Sequence, residues 1–309
     1  MLEVVDISKE QLVTELAEKL SPNTLLRCDE PLAKKTTLRV GGPADFYVEP
    51  FSESDLSLVL QFCAEKDLSF FILGRGSNLL IKDSGIRGFV ISLGHANFSQ
   101  IKIDGNLLHC GAGAKLKAVS VEARKNNLTS LEFLEGIPGS VGGALRMNAG
   151  AMTSAMFNIV HAIRIMDWAG QTQELNRGDI EVEYRSCPLL KNHIALSAVL
   201  KGATAASEVV AERMRTFSAK RWESQPKEPS AGCIFKNPQT IPAGKLIQEL
   251  GLKGTSIGGA RVSEVHGNFI VNDGNATAQN VLDLIALVKQ RAKSARGLEL
   301  RTEVEIIGE

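Results

Sequence analysis

The chain has 309 residues, 44% apolar and 23% charged, and its 35 lysines and arginines balance 35 aspartates and glutamates. That length accommodates two or three domains, while zero net charge gives no electrostatic ground for nucleic acid or an anionic membrane as partner. Two tryptophans and two tyrosines are too few for a base-stacking platform.

Cys28, Cys63, Cys110, Cys187 and Cys233 are scattered and form no C-x-x-C pair. They fit reduced thiols in a reducing compartment, not a disulfide framework or a zinc site. His95, His109, His161, His193 and His266 show no metal spacing, and no metal is expected. The N-terminus carries Glu3, Asp6 and Glu10 without a basic-then-apolar signal. No apolar run reaches the length of about eighteen residues needed for a membrane span. A soluble, cytoplasmic protein is expected.

Ser8 with Gln11 predicts a capping box, followed by a helix with Leu12, Val13, Leu16, Ala17 and Leu20 on one face and Pro22 at its end. Thr37–Val40 predicts a short strand, Gly41-Gly42-Pro43 a turn and Phe46–Val48 a further strand. Ser52 and Asp55 open a helix whose apolar face is Leu56, Val59, Leu60 and Cys63. Phe70–Leu73 reads as an apolar strand feeding Gly74-Arg-Gly-Ser-Asn78, with Leu79–Ile81 continuing. This is a β–α–β unit with its glycine loop at a strand's C-terminal end, where ligands gather in open α/β sheets.

Strands are then expected at Gly88–Ser92, Ile101–Ile103 and Leu107–Cys110, with a hairpin turn at Asp104-Gly105-Asn106. Lys115–Asn126 predicts a helix, and Ile159–Trp168 with Gln171–Leu175 a hairpin. Ile180–Tyr184 and Ile194–Leu200 predict strands, and Glu208–Lys220 a helix. The last third reads as a short helix at Gly244–Leu250, a strand at Asn268–Asn272 and a long helix capped by Thr277. A strand at Leu298–Ile307 closes the chain.

The densest glycine stretch runs from Leu134 to Ala144 and on through Met147–Ala151, with Gly136, Gly139, Gly142, Gly143 and Gly150. Such density has two readings. It exposes backbone N–H groups to an anion, most often a pyrophosphate, or it lets two elements cross closely. Gly74–Asn78 lacks the third glycine of G-x-G-x-x-G, and no Walker loop occurs. Two phosphate-compatible loops on different halves predict a dinucleotide held between subdomains.

Six motifs follow in order: Thr36-Thr-Leu-Arg-Val-Gly-Gly42; Leu73–Asn78; Gly136-Ile-Pro-Gly-Ser-Val-Gly-Gly143 with Met147-Asn-Ala-Gly150; Tyr184-Arg-Ser186; Ala231-Gly-Cys-Ile-Phe-Lys-Asn-Pro238; and Glu303-Val-Glu-Ile-Ile-Gly308. Together they resemble the UDP-N-acetylenolpyruvoylglucosamine reductase family of peptidoglycan precursor synthesis, from about Asp29 onward. The resemblance implies an α+β chain: an FAD-binding domain of the vanillyl-alcohol-oxidase (PCMH) type in two α+β subdomains, 1–86 and 87–203, and a substrate-binding domain, 204–309. It implies non-covalent FAD held by Thr37, Arg39, Gly41 and Gly42, by Gly74, Arg75, Gly76, Ser77 and Asn78, and by the run Gly136, Pro138, Gly139, Ser140, Gly142, Gly143, Asn148 and Ala149. The amides of Gly76, Ser77 and Asn78 would hold the pyrophosphate.

The implied reaction has two halves. NADPH reduces the flavin and leaves; the enolpyruvyl ether of the UDP-sugar then takes hydride at C3 and a proton at C2. The resemblance makes Arg185 and Glu303 the groups polarising the enolpyruvyl carboxylate. Alone, either would read as a surface charge. Cys233 stands where the family usually has a serine proton donor. A thiol, with an ordinary pKa near 8.5, is mostly protonated at neutral pH and can do the same, although a small buried apolar residue is the plain alternative. Tyr184, Asn237 and Lys245 are the implied substrate contacts. Ser224 occupies a position where relatives often carry lysine, and Lys220, Arg221 or Lys227 could substitute. The short interval between Arg185 and Cys233, with only Tyr47 and Tyr184 in the chain, fits the shorter subclass without a tyrosine-bearing substrate loop. A monomer acting on small molecules is expected. A sugar or alcohol oxidase of the same fold, or an inactive flavin-binding paralogue, remains open at this point.

Overall fold

The protein was analysed as a computed structural model that describes residues 8–309. Two compact units emerge. Among the described residues, one contains 8–30, Asp45–Gly74 and Gly88–Phe217; the other contains Pro31–Ala44, Arg75–Arg87 and Ser218–Glu309.

In the first unit, helix α1 (Lys9–Ala17) starts at the expected box. The Ser8 hydroxyl accepts the Gln11 N–H, and the Gln11 side chain accepts the Ser8 N–H. It ends before Pro22, so Leu20 reaches the core from beyond the helix. Helix α2 (Glu53–Glu65) has the same kind of cap, Ser52 with Asp55, and buries Leu56, Val59, Leu60 and Cys63 as its spacing requires. A four-stranded sheet orders Leu25–Pro31, Pro43–Glu49, Ile86–Ser92 and Phe70–Leu73. Leu25–Pro31 was not expected: its residues are mostly exposed, so it carries no core-facing alternation.

A five-stranded antiparallel sheet orders Thr172–Asn176, Val160–Met166, Ile194–Lys201, Leu107–Gly111 and Ile101–Asp104. Helices α3 (Leu116–Lys125) and α4 (Val141–Arg146) complete this part, and α5 (Ser207–Ser224) follows it in the chain. The short α4, capped by Ser140, lies inside the glycine stretch and was not foreseen. Ile180–Tyr184 is irregular instead of a strand. Its one ladder contact is the bridge between Glu183 and Ser186, which closes a tight turn.

The second unit has its own apolar core. Its sheet orders Ser230–Cys233, Phe269–Asn272, Ala260–Val262 and Ser256–Ile257, all antiparallel. Helices α6 (Ala243–Glu249) and α7 (Ala278–Arg296) accompany it. Helix α7 buries Val281, Leu284, Ile285, Val288 and Ala292, one stripe at 3.6 spacing. Thr277 caps it as expected, and Asp83 accepts the N–H groups of Ala278 and Gln279 at 2.8 and 2.9 Å. A carboxylate there satisfies orphan donors and the positive helix end together, and it ties the Arg75–Arg87 segment to this unit.

Two expected strands are corrected here. Thr37–Val40 is not a strand, because Arg39 has φ +59° and Asn272 Nδ2 donates to the Leu38 and Arg39 carbonyls. Leu298–Ile307 shrinks to Glu305–Ile307, which pairs in parallel with Leu79–Ile81; upstream of it, Thr302 makes a single bridge to Phe235.

Candidate active site

The glycine stretch turns out to be a crossing more than a wall of bare amides. Val141 N–H donates to the Ala114 carbonyl and Gly142 N–H to the Ala112 carbonyl, at 2.9 and 2.8 Å. Gly143 N–H donates to the Ser140 hydroxyl at 3.4 Å. A side chain on Gly142 would lie 3.1 Å from the Ala112 Cβ. The expected loop at Gly41 and Gly42 is likewise tight for internal reasons, since side chains there would strike Ile81 and the Asp83 carbonyl. Gly76 has φ +59° and passes against Lys35 and Thr36, and its carbonyl accepts the Thr37 N–H at 3.3 Å. Thr37 in turn donates through Oγ1 to the Ser230 carbonyl at 2.7 Å, so this loop is braced by the strand that ends at Cys233.

Two other glycines face a hydroxyl instead of a crossing backbone. A Cβ on Gly143 would meet only the Ser140 hydroxyl within 4 Å; one on Gly74 would meet only that hydroxyl and the Gly143 Cα. Both glycines are exposed. Two loops far apart in sequence therefore lay bare backbone side by side, with Ser140 beneath. This is a floor on which a flat or phosphorylated group can rest without side-chain obstruction, and it fits a flavin nucleotide. Pro138 is exposed at the rim of the same run, and Gly136, Gly139 and Ala149 are half-buried along it.

Arg185 stands at the tip of a two-residue turn in the first unit. Glu183 and Ser186 exchange backbone hydrogen bonds at 2.9 and 3.3 Å, leaving Tyr184 and Arg185 at the turn. Arg185 has φ +58°, a backbone conformation disfavoured for arginine. Tyr184 is 66% exposed, and the Arg185 guanidinium lies 5.0 Å from its ring centroid. A Cβ on Gly150 would lie 2.6 Å from the Ser154 carbonyl oxygen and 3.0 Å from an Arg185 nitrogen, so the bare glycine makes room for both. Asn148, expected at the cofactor, bonds through its side chain within the protein: Nδ2 donates to the Glu183 carbonyl and Oδ1 accepts the Phe157 N–H.

Cys233 and Glu303 lie in the second unit, and the backbone brings their segments together. The strand Ser230–Cys233 pairs Ser230 with Val271 and Cys233 with Phe269, with a shift between the pairs. Gly232, at φ +76°, sits inside that bulge. Such bulges break the alternation of side chains along a strand, and this one falls immediately before Cys233. Glu303 N–H donates to the Ile234 carbonyl at 2.8 Å, and Glu305 N–H to the Asn78 carbonyl at 3.0 Å. Asn78 Nδ2 donates to the Glu303 carbonyl at 3.1 Å. A residue expected at the cofactor thus also holds the Glu303 segment.

One residue that the sequence reading missed is Asn268, 2% exposed. Its amide accepts the Phe235 N–H at 2.9 Å and donates to the Phe235 carbonyl at 2.8 Å, while its own carbonyl accepts the Ile234 N–H. It grips the two residues after Cys233. Next to it, His266 accepts the Asn268 N–H through Nδ1 and meets the Phe269 ring edge-on at 4.9 Å. Burial, with Lys253 nearby, holds the His266 imidazole below its ordinary pKa.

Asn237 and Lys245 share one neighbourhood. Asn237 Oδ1 accepts the Ala243 N–H at 3.0 Å, fixing the start of α6, and Lys245, exposed on α6, lies 4.0 Å from Glu249. Ser224 ends α5, with its hydroxyl donating to the Lys220 carbonyl at 2.8 Å.

Two family descriptions match this chain: "UDP-N-acetylenolpyruvoylglucosamine reductase, C-terminal domain" over residues 225–307 and "FAD binding domain" over residues 44–176. The chain is 40% identical over 299 residues to the UDP-N-acetylenolpyruvoylglucosamine reductase of Clostridium tetani, covering 96% of each. It is 42% identical over 302 residues to UDP-N-acetylenolpyruvoylglucosamine reductase 1 of Bacillus anthracis, covering 97% of this chain and 99% of that one. The crystal structure of the reductase from Thermus caldophilus is similar with a TM-score of 0.80 at 34% identity, over 93% of this chain and 99% of that one.

Proposed function

The chain belongs to the UDP-N-acetylenolpyruvoylglucosamine reductase family, and from that premise we propose how its residues divide the work. It is an FAD-dependent oxidoreductase that uses NADPH to reduce the enolpyruvyl ether of a UDP-sugar to UDP-N-acetylmuramate, a step of peptidoglycan synthesis. Bound FAD supplies the hydride relay from NADPH to C3 of the enolpyruvyl group. In our reading, the loops Thr37–Gly42, Gly74–Asn78 and Gly136–Gly143, with Ala149, hold it. The bare floor of Gly74 and Gly143 over Ser140 supports this.

Arg185 binds the enolpyruvyl carboxylate, for which a guanidinium fork is suited by shape and charge. Glu303 polarises the same group together with Arg185, so that negative charge arriving with the hydride spreads onto oxygen. The Cys233 thiol gives its proton to C2, completing addition of two hydrogens across the double bond, and the thiolate recovers a proton from water. Tyr184, Asn237 and Lys245 contact the rest of the UDP-sugar; a lysine serves phosphate as a point charge. We read the enzyme as a cytoplasmic monomer. In keeping with a reducing compartment, its five cysteines, all described, form no disulfide. Among the described residues no helix is long and apolar enough to cross a membrane.

The observation carrying the residue assignment is the main-chain tie between Glu303 and Ile234, the residue after Cys233, beside the bulge at Gly232. An anaerobic two-step titration tests the function. NADPH should bleach the flavin, and the enolpyruvyl UDP-sugar alone should restore its colour. Recolouring by oxygen but not by the enolpyruvyl sugar would indicate an oxidase, and recolouring by neither an inactive flavin binder.

A further inference from the structure

We propose that Asn148 is a positioning residue for Arg185: its side-chain amide fixes the turn that carries the guanidinium. The proposal rests on the reading of Arg185 as the carboxylate-binding group.

Glu183 and Ser186 close the turn with one pair of backbone bonds, it belongs to no sheet, and its tip residue sits at φ +58°. The exit of α4 reaches it on both sides. Upstream, Asn148 Nδ2 donates to the Glu183 carbonyl at 3.1 Å. Downstream, Cys187 N–H donates to the Arg146 carbonyl at 3.0 Å, and the Cys187 side chain is fully buried. The same exit supplies Gly150, whose missing side chain leaves room for the guanidinium.

The residue type at 148 meets three demands at once. Its φ of +40° is tolerated by glycine, asparagine and aspartate far better than by other residues. Its oxygen accepts the Phe157 N–H at 3.2 Å, and its nitrogen supplies the donor to Glu183. Glycine keeps the backbone but has neither side-chain bond. Aspartate keeps the backbone and the acceptor, but sets a carboxylate oxygen against the Glu183 carbonyl. Asparagine alone among the three provides everything, so Asn148→Asp removes the Arg185-directed bond while changing a single atom group.

The test is a double-mutant cycle on the holoenzyme, with Asn148→Asp, Asn148→Gly and Arg185→Ala. Flavin content and the two half-reactions are measured separately by anaerobic rapid mixing. Asn148→Asp and Asn148→Gly should each keep the flavin and its reduction by NADPH within about twofold. Each should slow reoxidation by the enolpyruvyl sugar about tenfold to a hundredfold, the size expected for a misplaced group. With Arg185 already alanine, either change at 148 should cause no further loss, because both act through one guanidinium. The proposal is overturned if neither variant slows reoxidation, if their losses multiply with that of Arg185→Ala, or if they shed flavin and slow both half-reactions alike. If Arg185→Ala is itself silent, the reading of Arg185 falls and the proposal with it. If Arg185→Ala slows reoxidation and the changes at 148 do not, the proposal alone falls.

Discussion

Glu303 is held beside Cys233 by main chain, its N–H donating to the carbonyl of Ile234 at 2.8 Å. Cys233→Ser and Glu303→Gln leave that main-chain tie in place, so each should lose no more than about 1 kcal/mol in urea denaturation, the centre of the range for point substitutions. A loss of several kcal/mol in either would mean that the side chains, not the backbone, hold this corner together.

Asn268 is where the fold is vulnerable. Removing its amide strands the Phe235 N–H and carbonyl in the interior. Each buried unsatisfied group costs about 1–3 kcal/mol, so Asn268→Ala should lose about 2–5 kcal/mol. Urea denaturation of the flavin-loaded protein measures it. A loss below about 1 kcal/mol would show that Phe235 finds other partners.

His266 predicts a pH dependence with a definite sign. Burial depresses its folded pKa, while the unfolded value stays near 6.5. Below about pH 6.5 the unfolded chain therefore takes up a proton that the folded chain resists, so this contribution is complete above that pH and is lost as pH falls. The urea midpoint should drop between about pH 7.5 and about pH 5.5, and His266→Gln should flatten that drop. An unchanged slope in the variant would assign the dependence to other groups.

The five thiols should divide into two classes. Burial pushes Cys63 and Cys110 up to about 12 and raises Cys187 as well, so these three are both covered and protonated. Cys28 is exposed and Cys233 half-buried. An alkylating reagent should modify Cys28 and Cys233 in the folded protein and all five in denaturant, as read by peptide mass. Native labelling of Cys110 at the rate of Cys28 would contradict the packing described here.

Much of this was legible in the residues, for identifiable reasons. Helices α2 and α7 announce themselves through capping boxes and apolar stripes, and the central strands through continuous apolar runs. Leu25–Pro31 escaped notice because an exposed strand carries no such pattern. Thr37–Val40 misled because its composition favours a strand, whereas the buried Asn272 imposes another path on it from 233 or more positions away. The glycines were read correctly as special but not always for the right reason. Several, such as Gly42 and Gly142, are bare so that other parts of the chain can pass close by, whereas Gly74 and Gly143 are exposed and face the Ser140 hydroxyl. Arg185, Cys233 and Glu303 came from motif resemblance. Asn148 and Asn268 were not seen as supports, because an amide bonded to distant backbone leaves no local mark in a sequence.

The most direct test of the central claim is single-turnover reoxidation of the NADPH-reduced Cys233→Ala enzyme by the enolpyruvyl sugar, without oxygen. Loss of a general acid costs about 10²- to 10⁴-fold, so flavin reoxidation should slow by that factor while reduction by NADPH keeps its rate, and Cys233→Ser should recover most of the loss. Reoxidation of Cys233→Ala at the parent's rate would contradict the account, because the proton delivered to C2 would then come from somewhere else.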